Sequence, residues 1–117
     1  MATLSIQTIT EAGLAPSLGA AGGSGDVFPN TGREFLMVEN GGGSSVTVTI
    51  EAQVTTARAP GMGTVTKGDA GGAVAAGETK LFGPFPPRAF NNADRRVEVT
   101  YSGTTDVTVA AIRLPDA

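Results

Sequence analysis

Ser45-Val46-Thr47-Val48-Thr49-Ile50-Glu51-Ala52-Gln53-Val54 alternates apolar and polar residues without a break. Successive side chains on a strand point to opposite faces. Val46, Val48, Ile50, Ala52 and Val54 therefore form an inward row, and Thr47, Thr49, Glu51 and Gln53 an outward one. A helix would instead space its apolar residues three and four apart. Just upstream, Asn40-Gly41-Gly42-Gly43-Ser44-Ser45 is a turn signal, because tight hairpin turns need positive φ. It predicts a hairpin back to residues 34–40, where Phe35-Leu36-Met37-Val38 is apolar on both faces, as in a central strand.

The same period recurs outward from this pair. Residues 3–10 place Leu4, Ile6 and Thr8 on one face, 96–101 alternate through Val97, Val99 and Tyr101, and 106–114 carry Val107, Val109 and Ala111 opposite Ala110, Ile112 and Leu114. Ser102-Gly103-Thr104 predicts a second short hairpin. Residues 78–85 present Leu81, Phe82 and Phe85 until Gly83-Pro84 ends or kinks the strand. Residues 86–90 fit one helical turn, with Pro87 near its start and Asn91-Asn92 closing it. Residues 61–67 are a weak strand around Val65, and 71–76 are small and loop-like. Phe85 and Phe90, flanking Pro86-Pro87, are expected to plug a corner of the core.

Seven or eight short strands with turns about every ten residues predict a single all-β domain over 1–117. Its expected form is an antiparallel β-sandwich, jelly-roll-like or immunoglobulin-like. The expected core is Leu36, Val38, Val46, Val48, Ile50, Leu81, Phe82, Val97, Val99, Val107 and Val109. Residues 13–32, rich in glycine, alanine and serine, predict a long flexible or partner-contacting loop. Residues 1–10 are either an edge strand of the domain or an N-terminal arm that joins a neighbour's sheet. Leu4, Ile6, Ile9, Leu14, Leu18, Val27 and Phe28, apolar residues in otherwise polar segments, are the candidate partner contacts.

Composition removes much chemistry. The 117 residues include no cysteine, histidine or tryptophan, and only 16% are charged. Disulfides, thiol nucleophiles, zinc clusters, haem ligation and Ser-His-Asp relays are excluded. The formal charge is −3 and the eight basic residues are scattered, which argues against nucleic-acid binding. No apolar run approaches the ~18 residues that span a membrane. Met1-Ala2-Thr3-Leu4 lacks the basic and apolar regions of a secretory signal, so the chain is expected inside a cell or a particle.

No catalytic, cofactor or metal constellation stands out. Gly22-Gly23-Ser24-Gly25-Asp26-Val27 falls one residue short of a calcium-binding nonapeptide and occurs once. Lys67-Gly68 and Thr79-Lys80 do not complete a phosphate loop. Asp26, Asp69 and Asp106 are isolated loop acids, and Glu51 and Glu98 fall at solvent-facing positions. Five phenylalanines and one tyrosine are too few to fill a core and also pave a sugar-binding platform. The expectation is a protein that is not an enzyme and needs no cofactor.

The order of motifs carries more. Ala12-Gly13-Leu14-Ala15-Pro16 leads into the small-residue stretch. Then come Asp26-Val27-Phe28-Pro29-Asn30-Thr31-Gly32-Arg33-Glu34-Phe35-Leu36-Met37-Val38, the 45–50 strand, Gly83-Pro84-Phe85, Phe90-Asn91-Asn92-Ala93-Asp94, and the strands from Val97 and Val107. In this order the chain resembles small structural proteins encoded in the head-gene clusters of tailed bacteriophages, over residues 7–114. The resemblance implies a virion protein that decorates and cements the outside of an assembled capsid, made in the host bacterial cytoplasm. It implies the major capsid protein as partner and a homo-oligomer, with a trimer favoured. The alternative is a receptor- or glycan-binding β-sandwich of a phage tail or fibre.

Overall fold

The computed structural model describes residues 1–53, 56–59, 61, 63–66 and 68–115, with the backbone alone for 56–59 and 63–66. Val54 and Lys67 lie outside the described residues. The strands run in the order β1 (Ala2–Thr3), β2 (Ile6–Thr8), β3 (Gly19–Ala20), β4 (Asp26–Pro29), β5 (Glu34–Asn40), β6 (Val46–Ile50), β7 (Thr56–Ala59), β8 (Gly63–Thr66), β9 (Ala70–Val74), β10 (Thr79–Phe82), β11 (Arg96–Tyr101) and β12 (Val107–Arg113), and the alternation of 45–54 is strand only as far as Ile50, with residues 51–53 outside it. One helical turn, α1 (Pro87–Phe90), precedes β11, with a proline opening it and Asn91 N–H closing on the Pro87 carbonyl at 3.0 Å.

The strands make a β-sandwich. One sheet runs β1-β4-β11-β6-β9 and the other β10-β5-β12, with β2 and β3 sharing the far edge of β12. The apolar rows of β4, β6, β9 and β11 meet those of β5 and β12 in one core, which contains Phe28, Leu36, Val38, Val48, Ile50, Val74, Val97, Val99, Val107 and Val109. Phe85 and Phe90 close one end of it as expected. Phe85 stacks at a tilt on Phe28 (centroids 6.0 Å apart) and edge-on to Phe90 (5.6 Å).

Several expectations are corrected. There are twelve strands among the described residues, rather than seven or eight. Neither main sheet is purely antiparallel, since β1 runs parallel to β4 and β2 parallel to β12. The stretch 13–32 is not one loop. β4 lies inside a sheet, bonded to β11 along residues 96–99, because Phe28 has a core position to fill. Residues 71–76 are not loop-like, as β9 takes in 70–74 despite its small side chains. Leu81 leaves the core. It pairs across from Met37 on the outer face, while Phe82 pairs with Leu36 and turns inward.

Neither predicted hairpin forms. β5 and β6 belong to different sheets, as do β11 and β12. Residues 41–45 and 102–106 are therefore corners that carry the chain between layers. Positive φ falls on Asp106 (57°), not on Gly41, Gly42, Gly43 or Gly103. From β4 onward, each connection between the two main sheets' strands crosses the core, except β6 to β9. That segment carries β7 and β8, which pair with each other as a separate two-stranded ribbon.

Candidate functional site

The N-terminal segment pairs within its own chain. β1 lies along β4 and β2 along β12, so the first eight residues bridge from one sheet to the other. Leu4 N–H donates to the Val27 carbonyl at 2.8 Å and Ile9 N–H to the Arg113 carbonyl at 3.0 Å. Leu4 and Ile6 pack against the core. Gln7 then pins the following segment, its amide both donating to the Ser17 carbonyl (2.8 Å) and accepting from Ser17 N–H (2.9 Å).

The seven candidate contacts thus divide. Leu4, Ile6, Ile9, Leu14 and Leu18 are half-buried and retain some surface. Val27 and Phe28 are buried, and Phe28 has no exposure at all, so neither offers a surface to a partner. Their appearance as apolar islands in a polar stretch came from reading β4 as loop.

The structure also gathers groups that period-2 reasoning left unremarked. Glu34 begins β5 in phase with Leu36 and Val38, so its carboxylate points inward and is fully buried. It accepts from Thr31 N–H (2.7 Å), the Thr31 hydroxyl (2.9 Å) and Arg33 N–H (3.2 Å), and forms an ion pair with Arg113 Nε. Burial acts to raise the Glu34 pKa. The Thr31 N–H, the Arg113 guanidinium and the Thr31 hydroxyl outweigh it and hold the group below the ordinary carboxylate value. The phase itself was the available signal, since Glu34 alternates with inward residues.

Asp26 is buried at the other end of the core. It accepts from Gly22 N–H (3.0 Å) and from the Tyr101 hydroxyl (2.7 Å). Burial, then this hydrogen bond and the Asp26 charge, push the Tyr101 phenol well above its usual value. Asp69 accepts from Ala52 N–H at 2.8 Å. Glu98 is half-buried and accepts from Asn92 at 3.0 Å, whereas Glu51 is exposed as expected. Glu34, Asp26 and Asp69 thus each serve the backbone or a neighbouring strand. Among the described residues, no three acidic side chains converge as metal ligands would.

Two surface features remain. A cleft of about 360 Å³ lies between the two corners, lined by Gly42, Ser44, Ser45, Ser102, Thr105 and Asp106 among others. On the outer face of the second sheet, Phe35, Leu81, Pro84 and Leu114 line a more apolar cleft of about 260 Å³. Leu81 is 56% exposed there and Leu114 49%. Comparison with family models, curated proteins and solved structures finds no match to this chain.

Proposed function

We propose that this chain is a non-enzymatic decoration protein, which binds the outside of an assembled phage capsid and stabilises it. The observation that carries the reading is the order of motifs from Asn30-Thr31-Gly32-Arg33-Glu34 through Gly83-Pro84-Phe85 to the final strand. Those motifs also hold structural posts. Asn30 donates to the Phe85 carbonyl (3.0 Å) and to Asn91 Oδ1 (2.7 Å), while Asn91 donates back to the Asn30 carbonyl (2.9 Å).

Physical chemistry supports the role. A cement protein binds the assembled shell and not free subunits, so it stabilises assembly by mass action. Weak contacts repeated by symmetry act together. A surface of threonine, glycine and alanine immobilises few long side chains on docking. The major capsid protein is the proposed partner, and a trimer of this chain the proposed state on the shell.

The test is a protein inventory of purified mature heads, with the purified chain then added back to heads stripped of it. Recovery in a fixed ratio to the capsid protein, with greater heat resistance after add-back, is expected. Heads that lack the chain when mature would reject the proposal. The cleft between the corners favours the second reading, a receptor- or glycan-binding module, since its hydroxyls and the Asp106 carboxylate suit sugar hydroxyls. Saturable binding on a glycan array, abolished by Asp106→Ala, would support that reading instead.

A further inference from the structure

We infer that the free edge of β10 is a strand-addition site, which receives an extended, apolar segment of a partner protein. This goes beyond the decoration reading and does not depend on it. In an antiparallel ladder, alternate residues face the neighbouring strand and the rest face away. Asn40 N–H donates to the Glu78 carbonyl at 3.0 Å, which sets the phase. Lys80 and Phe82 face β5. Thr79 and Leu81 turn their N–H and C=O groups outward, at the end of the sheet order, where no further strand follows among the described residues.

The sandwich treats its other edges differently. On β9 the outward Ala73 carbonyl is taken by Lys80 Nζ at 2.9 Å, and Ala75 N–H donates to Glu78 Oε1 at 3.1 Å. Side chains from β10 and the turn before it therefore cap the edge of β9. The far edge of β12 is covered by β2 and β3, and β1 is only two residues long. Capped, covered and very short edges are the usual protections against unwanted pairing. Among the described residues, nothing caps or covers the β10 edge, its one lysine, Lys80, being turned to β9, and the edge lies beside an apolar row instead. Leu81 stands across from Met37, and the 260 Å³ cleft with Phe35, Pro84 and Leu114 adjoins it.

These features select the occupant. Outward N–H and C=O groups two residues apart take an extended backbone. The row beside them takes apolar side chains at alternate positions, as in known strand-addition modes. A second folded copy fits less well. A four-residue edge with two exposed leucines presents a patch of a few hundred Å². Two folded surfaces need about 1,200 Å² or more to hold together. A short segment bound through its main chain needs far less.

The experiment uses the full chain, followed by amide NMR. The probe is a soluble, lysine-flanked peptide of alternating leucine and threonine, with a proline-interrupted peptide of like composition as control. The alternating peptide should shift the Thr79 and Leu81 amides saturably and slow their hydrogen exchange, while the control does neither. Leu81→Pro removes an outward N–H that β5 does not use, and Leu81→Lys puts a charge on the apolar row. Each should weaken binding about tenfold or more, with β5 and β12 amides unchanged. The Leu81→Lys result stands alone if Leu81→Pro fails to fold. Equal affinity in the variants, or shifts centred elsewhere, overturns the inference. So does concentration-dependent dimerisation through the same amides without peptide, which would give the edge to a second copy.

Discussion

The Asn40 side chain donates to the main-chain carbonyl of Val74 at 3.0 Å, and the two residues belong to different sheets. The same amide donates to the Ser44 carbonyl (2.8 Å), and its oxygen accepts from Gly42 N–H (3.0 Å). The Asn40 carbonyl accepts from Gly77 N–H at 2.7 Å. One fully buried residue thus binds β9 to both the corner after β5 and the turn before β10.

Asn40→Ala would remove the bonds to the Val74 and Ser44 carbonyls, leaving the Ser45 hydroxyl at 3.4 Å on the former, and would take away the acceptor of Gly42 N–H. A loss of about 3 kcal/mol is expected, at ~1–3 kcal/mol for each buried polar group left unsatisfied. Urea unfolding should show a lower midpoint at an unchanged slope. Asn40→Asp should be at least as damaging at neutral pH, because its carboxylate faces two carbonyl oxygens, and should recover in part as acid protonates it.

Glu34→Gln breaks a buried, hydrogen-bonded ion pair and leaves the Arg113 charge facing a neutral group. A cost of about 3 kcal/mol at pH 7 is expected. Acid gives a second signature. The folded pKa of Glu34 lies below its unfolded value of about 4.3, so the unfolded chain binds more protons between the two. The contribution is complete above the unfolded value and is lost as pH falls through the folded one. The acid limb of a stability-against-pH curve should therefore be shallower in Glu34→Gln. Parallel limbs in the two proteins would contradict this account.

Tyr101 predicts the opposite limb. Its folded pKa is raised, so its stabilisation is present below the unfolded pKa near 10 and declines as pH rises above it. Tyr101→Phe should cost about 1 kcal/mol at neutral pH, for the lost bond to Asp26. It should also lose part of the alkaline destabilisation above about pH 10. Paired thermal melts from pH 8 to about 11 would separate this from the titration of lysines common to both proteins.

Gly71 has φ +119°, and a Cβ there would lie 2.1 Å from the Val48 carbonyl oxygen. Gly71→Ala must therefore shift β9 against β6, and a loss above about 2 kcal/mol is expected. Gly43→Ala is the control, with no atom within 4 Å of its added methyl and no positive φ. It should leave the melting temperature nearly unchanged.

Strands were legible where large apolar residues ran between clear turn signals. Residues 34–40, 96–101 and 106–114 match β5, β11 and β12 closely, β11 because Val97 and Val99 alternate with polar residues, β5 and β12 because a short apolar run bounded by turn residues fits an inner strand. Elsewhere the pattern could not decide. In β9, Ala70-Gly71-Gly72-Ala73-Val74 offers one large side chain, and in β4 Asp26 occupies an inward position. Leu81 and Phe82 are adjacent apolar residues, and only their register against Met37 and Leu36 settles which turns inward. The candidate contacts suffered likewise. Leu4 and Ile6 alternate visibly, while Phe28 was hidden by its polar neighbours.

Turn residues misled for a different reason. Asn40-Gly41-Gly42-Gly43 encodes a reversal, but nothing local says whether the next strand returns to the same sheet or the opposite one. The structure spends the small residues on close approach, with Gly41 N–H donating to the Asp106 carbonyl at 2.9 Å where the two corners meet.

Crossing from sheet to sheet also governs how the chain can fold. Because consecutive strands part company, each sheet is completed by partners distant in sequence. Glu34 pairs with Arg113, Leu36 with Ala111, and Phe28 with Val97. Such separations predict slow folding, since loop closure must come before the contacts that offset it. On a ribosome, β5 waits for β12, and β4 and β6 for β11, strands made long after them. Until they emerge, each sheet lacks an inner strand and only β5 and β10 can face the valine-rich side of β6, and this is the interval in which the nascent chain is most exposed to aggregation.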